Sequence, residues 1–574
     1  MLPEGFSKRQ LHYIPKDFKV TVWSKLKPYY AELEKRNIDS VEELEQWIDD
    51  RSELDDFVSE DFNWRYVKLS CDARNQKYQE RYQYMVQEIA PKIAPISFAL
   101  DKKLLNSPFK SQLNPDKYYI YLRAVENTAA LFREENIPLE TEVDLLSKEH
   151  GAIFGNMTIM WNGAPITIQQ ASAILEEPDR EIRQNIYRLI SERIAEDGNQ
   201  LNDLFDKLLA RRHQMALNAD FENYRDFKFK ALGRFDYTVQ DCFDFHEAIE
   251  KEVVPLVENL DLDRKNQLGF SSLYPWDAYV DTSGKAPLRP FKDAEELIEK
   301  SILCLKEVDP FFAKCLEQMH LMGHLDLESR EGKHPGGYNM PLPMTGVPFI
   351  FMNAASTIKD VHTMLHEAGH AVHSVLTRDY TLSSAKALPS EIAELASMSM
   401  ELLTMDHWDV FFENKEDLKR AKIWQLESVL GVLPWIATID KFQHWLYTHP
   451  THTRKERDQE WMNIFKEFNS KIFDRSELTH FDVNLWLKQL HIFEVPFYYI
   501  EYGIAQLGAI ALWKQYRQHP QQAIAAYKKA LSVGYTKPID QVYKAAGIEF
   551  SFSANHIKSL MAFVKKELDQ LKES

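Results

Sequence analysis

Apolar residues recur every three or four positions over most of the chain, which is the pattern of amphipathic helices. Clear examples are Val41–Trp47, the region Tyr78–Ile89 and the stretch from Asp116 to about Glu135. Ser40 precedes the first of these and is a candidate N-cap. Similar patterns fill most of the second half of the chain. The sequence therefore predicts a mainly α-helical protein.

Two short stretches depart from the helical pattern. In the stretch 158–168, two β-rich runs flank Asn162-Gly163, which is a strong hairpin signal. A continuous apolar run from Val347 to Met352 predicts a second short strand. The prolines near this strand are Pro341, Pro343 and Pro348. Because proline has no N–H to donate, this pattern favours an edge strand, which is either an ordinary sheet edge or a place where an extended peptide pairs.

A further helix is predicted from Thr357. Thr357 and Asp360 fit a capping box, and apolar residues repeat at helical spacing as far as Val372. Gly369 lies inside this helix, where glycine costs roughly 1 kcal/mol relative to alanine. We therefore expect another part of the chain to pack closely against Gly369.

The same helix contains the segment 366–370, His-Glu-Ala-Gly-His, which is an H-E-x-x-H pattern. Two histidines four residues apart lie on one side of a helix, so His366 and His370 can bind the same metal ion. Glu367 is then placed to accept a proton from water. A catalytic zinc site takes three protein ligands and leaves one position open, so the pattern needs a third ligand.

The third ligand is expected from the next helix, for which Ser390 is a candidate cap. His362 lies eight residues before His370, or roughly 12 Å along the axis, which is too far for one ion. His373 is interpreted as a packing residue. The candidates on the next helix are Glu391, Glu394 and Glu401. The residues alone favour Glu391 and Glu394 equally.

Charge and cysteine content limit the partners and the compartment. The net charge of −18 argues against nucleic-acid binding, because phosphates would be repelled. No run of about 18 apolar residues predicts a membrane span, and Met1–Gln10 lacks the apolar centre of a signal peptide. The cysteines are Cys71, Cys242, Cys304 and Cys315. They form no Cys-x-x-Cys pair, so we expect reduced thiols and a cytoplasmic protein.

These motifs resemble those of the thimet oligopeptidase and oligoendopeptidase F family of zinc metallopeptidases. The predicted helix that begins near Thr357 carries His366 and His370, and we call it the metal helix. It is similar to the family pattern F-H-E-x-G-H-x-x-H, with Leu365 in place of the common aromatic residue. The segment 393–397, Ala-Glu-Leu-Ala-Ser, matches the family's A-E-x-A-S. The resemblance implies that Glu394 is the third ligand of one zinc ion, Zn²⁺. Further similar segments are Gln170–Arg183, Gly332–Tyr338 and Asp440–Pro450.

The resemblance also implies an architecture. It is mainly α, with two helical lobes around a deep substrate channel and a small β-sheet beside the zinc-binding helix pair. Residues 1–200 would form an N-terminal helical region, including the hairpin at 158–168, that covers the channel. Residues 201–574 would form the zinc metallopeptidase catalytic region.

The remaining site residues are also implied by the resemblance. Glu367 would act as the general base. His491, Tyr498 and Tyr502 would stabilise the oxyanion of the tetrahedral intermediate, with Tyr499 as the alternative to Tyr498.

The predicted function is a zinc-dependent oligoendopeptidase acting on short, unstructured peptides. One alternative is a zinc carboxypeptidase or dipeptidyl carboxypeptidase on a similar helical frame, which would need a fixed cation for the substrate carboxylate. Another is an inactive peptide-binding protein. An altered Glu367 or a lost ligand would favour that alternative, and the sequence has neither change.

Overall fold

A computed structural model describes residues 11–334 and 336–573. The expected absence of a signal peptide at Met1–Gln10 lies outside the described residues, as does Pro335 within the similar segment 332–338. Helices dominate the described chain, which confirms the mainly α prediction. In these ranges no helix is both long and apolar enough to cross a membrane.

The first helices form an apolar core of their own. They are α1 (Trp23–Lys35), α2 (Val41–Cys71), α3 (Gln76–Tyr84), α4 (Ala90–Leu105) and α5 (Pro115–Leu131). Residues such as Leu33, Trp47 and Leu100 are fully buried between them. The predicted cap of α2 is confirmed, because the Ser40 side chain accepts a hydrogen bond from the Glu43 N–H. We call this cluster the N-terminal core. The next helix, α6 (Asn136–Gly155), packs instead against the main core of the later helices.

The predicted hairpin is present. Its strands β1 (Thr158–Trp161) and β2 (Ala164–Thr167) pair antiparallel. Asn162 and Gly163 have φ values of 49° and 82°, so both turn residues are left-handed. A two-residue turn of this kind matches the twist of the two strands, which explains the Asn-Gly signal.

The middle of the chain adds eight helices and begins the main apolar core. They are α7 (Ile168–Ile174), α8 (Arg180–Glu196), α9 (Gly198–Asn218), α10 (Tyr224–Ala231), α11 (Val239–Glu252), α12 (Val254–Leu268), α13 (Ala294–Val308) and α14 (Pro310–Leu321). The main core extends from Met157 to Leu568 in sequence. It therefore joins these helices to most of the later ones.

A three-stranded sheet follows, with strands β3 (Leu325–Glu328), β4 (Tyr338–Met340) and β5 (Phe349–Ala354) in the order β3-β5-β4. The strand expected at 347–352 is therefore present, but the prediction that it lies at an edge is wrong. The residues Phe349 to Met352 are all buried, as in a strand covered on both faces. The three prolines lie outside β5, so they do not interrupt its pairing.

The last part of the chain carries the metal helix and its neighbours. The helices are α15 (Ile358–Thr377), α16 (Ser383–Lys386), α17 (Ser390–Thr404), α18 (Lys415–Thr448), α19 (Arg454–Phe468), α20 (Thr479–Asp482), α21 (Leu490–Glu494), α22 (Tyr499–Gln518), α23 (Pro520–Ser532), α24 (Ile539–Ala545) and α25 (Ala554–Glu573). The capping box of Thr357 and Asp360 is confirmed. The cap expected at Ser390 is wrong, because Ser390 is already the first helical residue and the extended Pro389 precedes it.

The connection between α15 and α17 enters the N-terminal core. Leu382 and Ala385, at the short helix α16, are buried among the residues of that core. Lys386 forms an ion pair with Asp56 of α2, and both side chains are buried. Thus the segment that joins the two helices is held by the N-terminal part of the chain.

Helices α15 and α17 approach each other closely at Gly369. A Cβ atom at this position would lie 2.6 Å from the Ala396 carbonyl oxygen and 2.6 Å from the Ser397 Cα. Both neighbours are backbone atoms, so neither can rotate away. The close packing expected from the glycine in the sequence is therefore confirmed.

We predict that Gly369→Ala destabilises the protein by about 1–3 kcal/mol, the usual cost of overpacking a core. Gly431 is a matched control, because it is an exposed glycine inside α18 and a Cβ added there would have no neighbour within 4 Å. Gly431→Ala should stabilise the protein by about 0.5–1 kcal/mol. Urea unfolding of both variants measures the difference, and equal stabilities would contradict the close contact.

Candidate metal centre and active site

Three side chains from two helices converge at one point. His366 and His370 project from α15, and Glu394 projects from α17. The Nε2 atoms of His366 and His370 lie 3.3 and 3.5 Å from Oε2 of Glu394. One ligand atom from each of the three residues lies within 4.8 Å of the other two. Ligands of a tetrahedral zinc ion, with bonds of about 2.0–2.3 Å, have similar separations.

The donor set fits zinc. Two imidazoles and one carboxylate make up a catalytic zinc set and leave one position open. The side chains of His366 and His370 are 17% and 18% exposed, so a ligand can reach the group. The structure brings together all three residues for which the sequence predicted a metal-binding role.

Glu401 has a different role from the one considered for it. Its Oε1 lies 2.6 Å from Nδ1 of His366, and its Oε2 lies 2.7 Å from Nε2 of His362. Burial raises the pKa of Glu401, but the charges and hydrogen bonds of His362 and His366 outweigh it and lower this pKa to about 2. Glu401 is therefore an ionised carboxylate whose contact with Nδ1 of His366 leaves Nε2 of that ring facing Glu394.

The sequence did contain a signal for this carboxylate. Glu394 and Glu401 are seven residues apart in α17, so they lie on the same helix face, two turns from each other. This spacing could have indicated a carboxylate behind the histidines, whereas Glu401 was predicted only as a candidate metal ligand.

Glu391 points away from the histidine pair. Its Oε1 accepts a hydrogen bond of 2.6 Å from the Tyr237 hydroxyl. Its backbone carbonyl accepts another from the Tyr543 hydroxyl. Of the two glutamates that the residues alone favoured equally, only Glu394 is near the histidines.

Glu367 is buried beside the metal-binding group, with 5% of its surface exposed. Its Oε2 has no hydrogen-bond partner in the described part of the chain. Burial raises the pKa of this carboxyl group, while the neighbouring His366 and His370 oppose that rise. Its backbone carbonyl accepts a hydrogen bond from the Asn339 side chain of β4, which ties the sheet to the metal helix. The free carboxylate oxygen remains available for a water molecule.

His373 occupies the next turn of α15 and has no place in the metal-binding group. It is 1% exposed, and burial lowers the pKa of its imidazole to about 3. The structure is therefore consistent with its interpretation as a packing residue.

Aromatic side chains from α21, from the residue before α22 and from α22 itself form a second side of the site. The Tyr498 hydroxyl donates a 2.9 Å hydrogen bond to Oε1 of Glu394. The ring of Tyr502 lies 5.2 Å from that of Tyr498, and the ring of His491 lies 5.9 Å from it. Tyr499 lies next to His491, on the side of Gln489. The structure therefore groups His491, Tyr498 and Tyr502 near Glu394.

The hydrogen bonds around Gln489 fix the protonation of His491. The Trp435 indole N–H can only donate, and it lies 2.9 Å from Oε1 of Gln489. The other amide atom, Nε2, must then donate to Nδ1 of His491, 2.7 Å away. Burial lowers the pKa of His491 to about 4, so its ring is neutral at pH 7. Its proton therefore lies on Nε2, which makes that nitrogen a hydrogen-bond donor.

The backbone just before Tyr498 is held in an unusual conformation. Phe497 has φ of 67°, a value that favours glycine. Its N–H donates to Oε1 of Gln443, and its carbonyl accepts from the guanidinium of Arg234, which also pairs with Glu501. These contacts stabilise the turn that aims Tyr498 at Glu394. No sequence pattern indicated this turn, because nothing marks a phenylalanine as left-handed.

Comparison with known proteins gives the family. The pattern of Peptidase family M3 matches residues 173–562, which is more than half of the chain, and that of the Peptidase M3 N-terminal domain matches residues 16–132. Oligopeptidase PepF of Bacillus subtilis is 23% identical over 404 residues. This match covers 70% of the present chain and 58% of that relative.

Solved structures share the fold over nearly the whole chain. PZ peptidase A with inhibitor 2 has a TM-score of 0.91 at 24% identity, covering 96% of this chain and 98% of that one. Oligoendopeptidase-F from Enterococcus faecium has a TM-score of 0.66 at 16% identity, covering 96% and 97% of the two chains. Together with the match at 173–562, these similarities confirm the resemblance found in the sequence, and the chain belongs to peptidase family M3.

Proposed function

We propose that the protein is a zinc-dependent oligoendopeptidase that hydrolyses internal bonds of short, unstructured peptides. The observation that carries this proposal is the buried Glu367 carboxylate, with one oxygen unpartnered in the described residues, beside the His366–His370–Glu394 group. Membership of a peptidase family supports it. The four cysteines, all among the described residues, are free thiols, which supports a cytoplasmic location.

His366, His370 and Glu394 would hold one zinc ion. When bound there, zinc supplies a Lewis acid that polarises the scissile carbonyl and acidifies water. Glu401 keeps the His366 ring turned so that Nε2 faces Glu394. Tyr498 fixes Glu394 from the other side through its 2.9 Å hydrogen bond.

Glu367 would carry the proton during hydrolysis. Its unpartnered Oε2 accepts the proton of the attacking water as the new C–O bond forms. The same carboxylic acid then gives this proton to the leaving amine as the C–N bond breaks. The elevated pKa that burial gives this group brings it closer to the pKa needed for both steps.

Three side chains would stabilise the negative charge on the former carbonyl oxygen. His491 presents an N–H at Nε2, because Gln489 occupies its other nitrogen. Tyr498 and Tyr502 supply hydroxyl groups whose pKa is raised by burial, so both remain protonated at neutral pH. The single Tyr498 proton lies on the hydrogen bond to Glu394 in the structure, so Tyr498 would turn from Glu394 to the oxyanion as the charge develops. Neutral donors aimed at a developing oxyanion stabilise the transition state more than the substrate.

The N-terminal region, residues 1–200, would cover the substrate channel, and residues 201–574 would form the catalytic region. Contacts from α2 to the sheet region support a cover of this kind, because Glu60 accepts hydrogen bonds from Met344 and Thr345. The edge strand beside the metal helix is β4, so an extended peptide would pair along Tyr338–Met340. A covered channel would admit short peptides and exclude folded proteins.

We expect Glu394→Gln to lose the metal ion while Glu391→Gln keeps it. A neutral amide is a poor zinc ligand, whereas Glu391 bonds to Tyr237 outside the group. Metal analysis of the purified variants should give about one ion fewer per chain for Glu394→Gln alone. Loss of the metal from Glu391→Gln instead would show that Glu394 is not the ligand.

The proposed activity is tested with peptides that are blocked at both ends. Wild-type protein should cleave them internally, and a carboxypeptidase should not, because it needs a free C-terminus. Glu367→Gln should bind metal normally but lower turnover by at least roughly 10²-fold, since the amide cannot accept the water proton. Mass spectrometry identifies the products, with a stable folded domain as a substrate that should remain intact. Turnover near the wild-type rate in Glu367→Gln would exclude its role as the base.

We predict that Gln489→Glu lowers kcat with little change in metal content. A carboxylate there accepts hydrogen bonds from both Trp435 and His491, so the proton of a neutral His491 moves to Nδ1 and Nε2 ceases to donate. The carboxylate also raises the pKa of His491, so kcat is compared at a pH above that value, where the ring is neutral. The loss should approach roughly 10²-fold, the low end for removing one oxyanion donor. His491→Phe is the matched control, and the two variants should have similar kcat values. A fully active Gln489→Glu protein would refute this role for the Nε2 proton.

A further inference from the structure

A second cluster of metal-ligand residues lies between α11 and α18, outside the site described above. Helix α11 supplies Cys242 and His246, and α18 supplies Asp440 and His444. In each helix the two residues are four apart, so each pair lies on one helix face. Two such pairs on packed helices face each other across the interface. This is the arrangement from which two helices can hold a metal ion in common.

The distances place three of these residues around one point. Ligand atoms of Cys242, Asp440 and His444 all lie within 4.8 Å of one another, which is also true of the first metal group. Nε2 of His444 lies 3.2 Å from Oδ2 of Asp440. Nε2 of His246 lies 2.9 Å from the same oxygen, so His246 orients the carboxylate from the other side. Ligating carboxylates are commonly held by such a hydrogen bond.

Hydrogen bonding leaves this cluster incomplete. Nδ1 of His246, Oδ1 of Asp440 and Nδ1 of His444 have no hydrogen-bond partner among the described residues, and Nε2 of His444 has only the 3.2 Å contact with Oδ2 of Asp440. All four side chains are at most 4% exposed. A buried polar group without a partner costs roughly 1–3 kcal/mol, so a protein core does not normally collect several of them. A bound cation would use the free oxygen of Asp440 and a nitrogen of His444.

Aromatic rings surround the His444 side of the cluster. The rings of Phe243, Phe497 and Phe229 lie 4.9, 5.3 and 5.6 Å from the ring of His444. A charge that enters this space must be balanced locally, because the rings cannot solvate it. A thiolate, a carboxylate and two neutral imidazoles balance the two positive charges of a divalent ion.

We propose that Cys242, Asp440 and His444 form a second, buried site for a divalent transition-metal ion, with zinc as the fitting ion and His246 holding the carboxylate. Sulfur and imidazole donors select zinc and similar ions over magnesium or calcium, which take oxygen ligands. A hydrolytic Cys–His–Asp arrangement is excluded by burial, because Cys242 and Asp440 are 0% exposed and no substrate can reach the thiol. In the absence of metal, the thiol donates to the Thr238 carbonyl, 3.5 Å away.

Such an ion would brace the back of the active site. It would join α11 to α18. Gln443, which directly precedes His444 in α18, already holds the turn before Tyr498, because its side chain accepts the Phe497 N–H. The site would therefore be structural, and its closed surroundings mean that the ion enters during folding.

Cobalt gives a test that is independent of the first site. Protein produced in medium with Co²⁺ in place of Zn²⁺ should show a near-ultraviolet sulfur-to-cobalt charge-transfer band, because a thiolate is among the ligands. The first site has no sulfur ligand, so it cannot produce this band. Cys315 is a matched control, being a buried cysteine that belongs to no metal-ligand cluster in the described chain. The band should persist in Cys315→Ser and disappear in Cys242→Ser.

Metal analysis of the zinc-grown proteins completes the test. Cys242→Ser should contain about one zinc ion per chain fewer than wild type, and Cys315→Ser should match wild type. If the first site binds no zinc, the zinc content of all three proteins would fall by the same amount. The difference in zinc content between Cys242→Ser and wild type would then remain. Cobalt-loaded wild-type protein without the charge-transfer band would overturn the proposal, whether or not the Cys242→Ser variant folds.

Discussion

The site depends on the contact between α15 and α17 at Gly369. No side chain separates the two helices there, since a Cβ would lie 2.6 Å from the backbone of the partner helix. This approach brings Glu394 close enough to share a cation with His366 and His370. One more side chain between the helices would move the carboxylate away from the imidazoles. The local cost of glycine in a helix is therefore offset by the geometry that it permits.

The same contact between α15 and α17 also determines which glutamates of the site are ionised. Two carboxylates of α17, Glu394 and Glu401, are buried against three histidines of α15. Burial alone would favour their neutral forms, but the histidines lower the pKa of both glutamates and keep them ionised. Glu367, on α15 itself, has no such dedicated partner, and its pKa is raised. The surroundings thus keep Glu394 and Glu401 ionised beside the histidines, whereas they leave Glu367 able to exchange a proton.

Helical periodicity explains how much could be predicted from the sequence. Residues that are neighbours along one helix, such as His366 and His370, or that have fixed turn chemistry, such as Asn162-Gly163, follow from local rules. The choice of Glu394 over Glu391 did not follow from these rules, because both begin the same helix. It depends on the rotation of α17 about its axis, which Tyr237 and the contact at Gly369 determine. Features that depend on contacts between distant parts of the chain could not be predicted from the sequence either. The central position of β5 depends on β3 and β4, which pair with it from both sides, and the left-handed Phe497 depends on contacts far away in sequence.

The insertion of α16 into the N-terminal core has a mechanical consequence. Leu382 and Ala385 are anchored among the first helices, while the chain on either side of them continues into α15 and α17. A displacement of the first helices would therefore pull on the connector between the two ligand-bearing helices. Substrate entry and metal geometry would then be linked by the backbone itself, without a separate signal between them. For the same reason the first helices cannot be cut away as an independent module, because the cut would leave this connector without its packing partners.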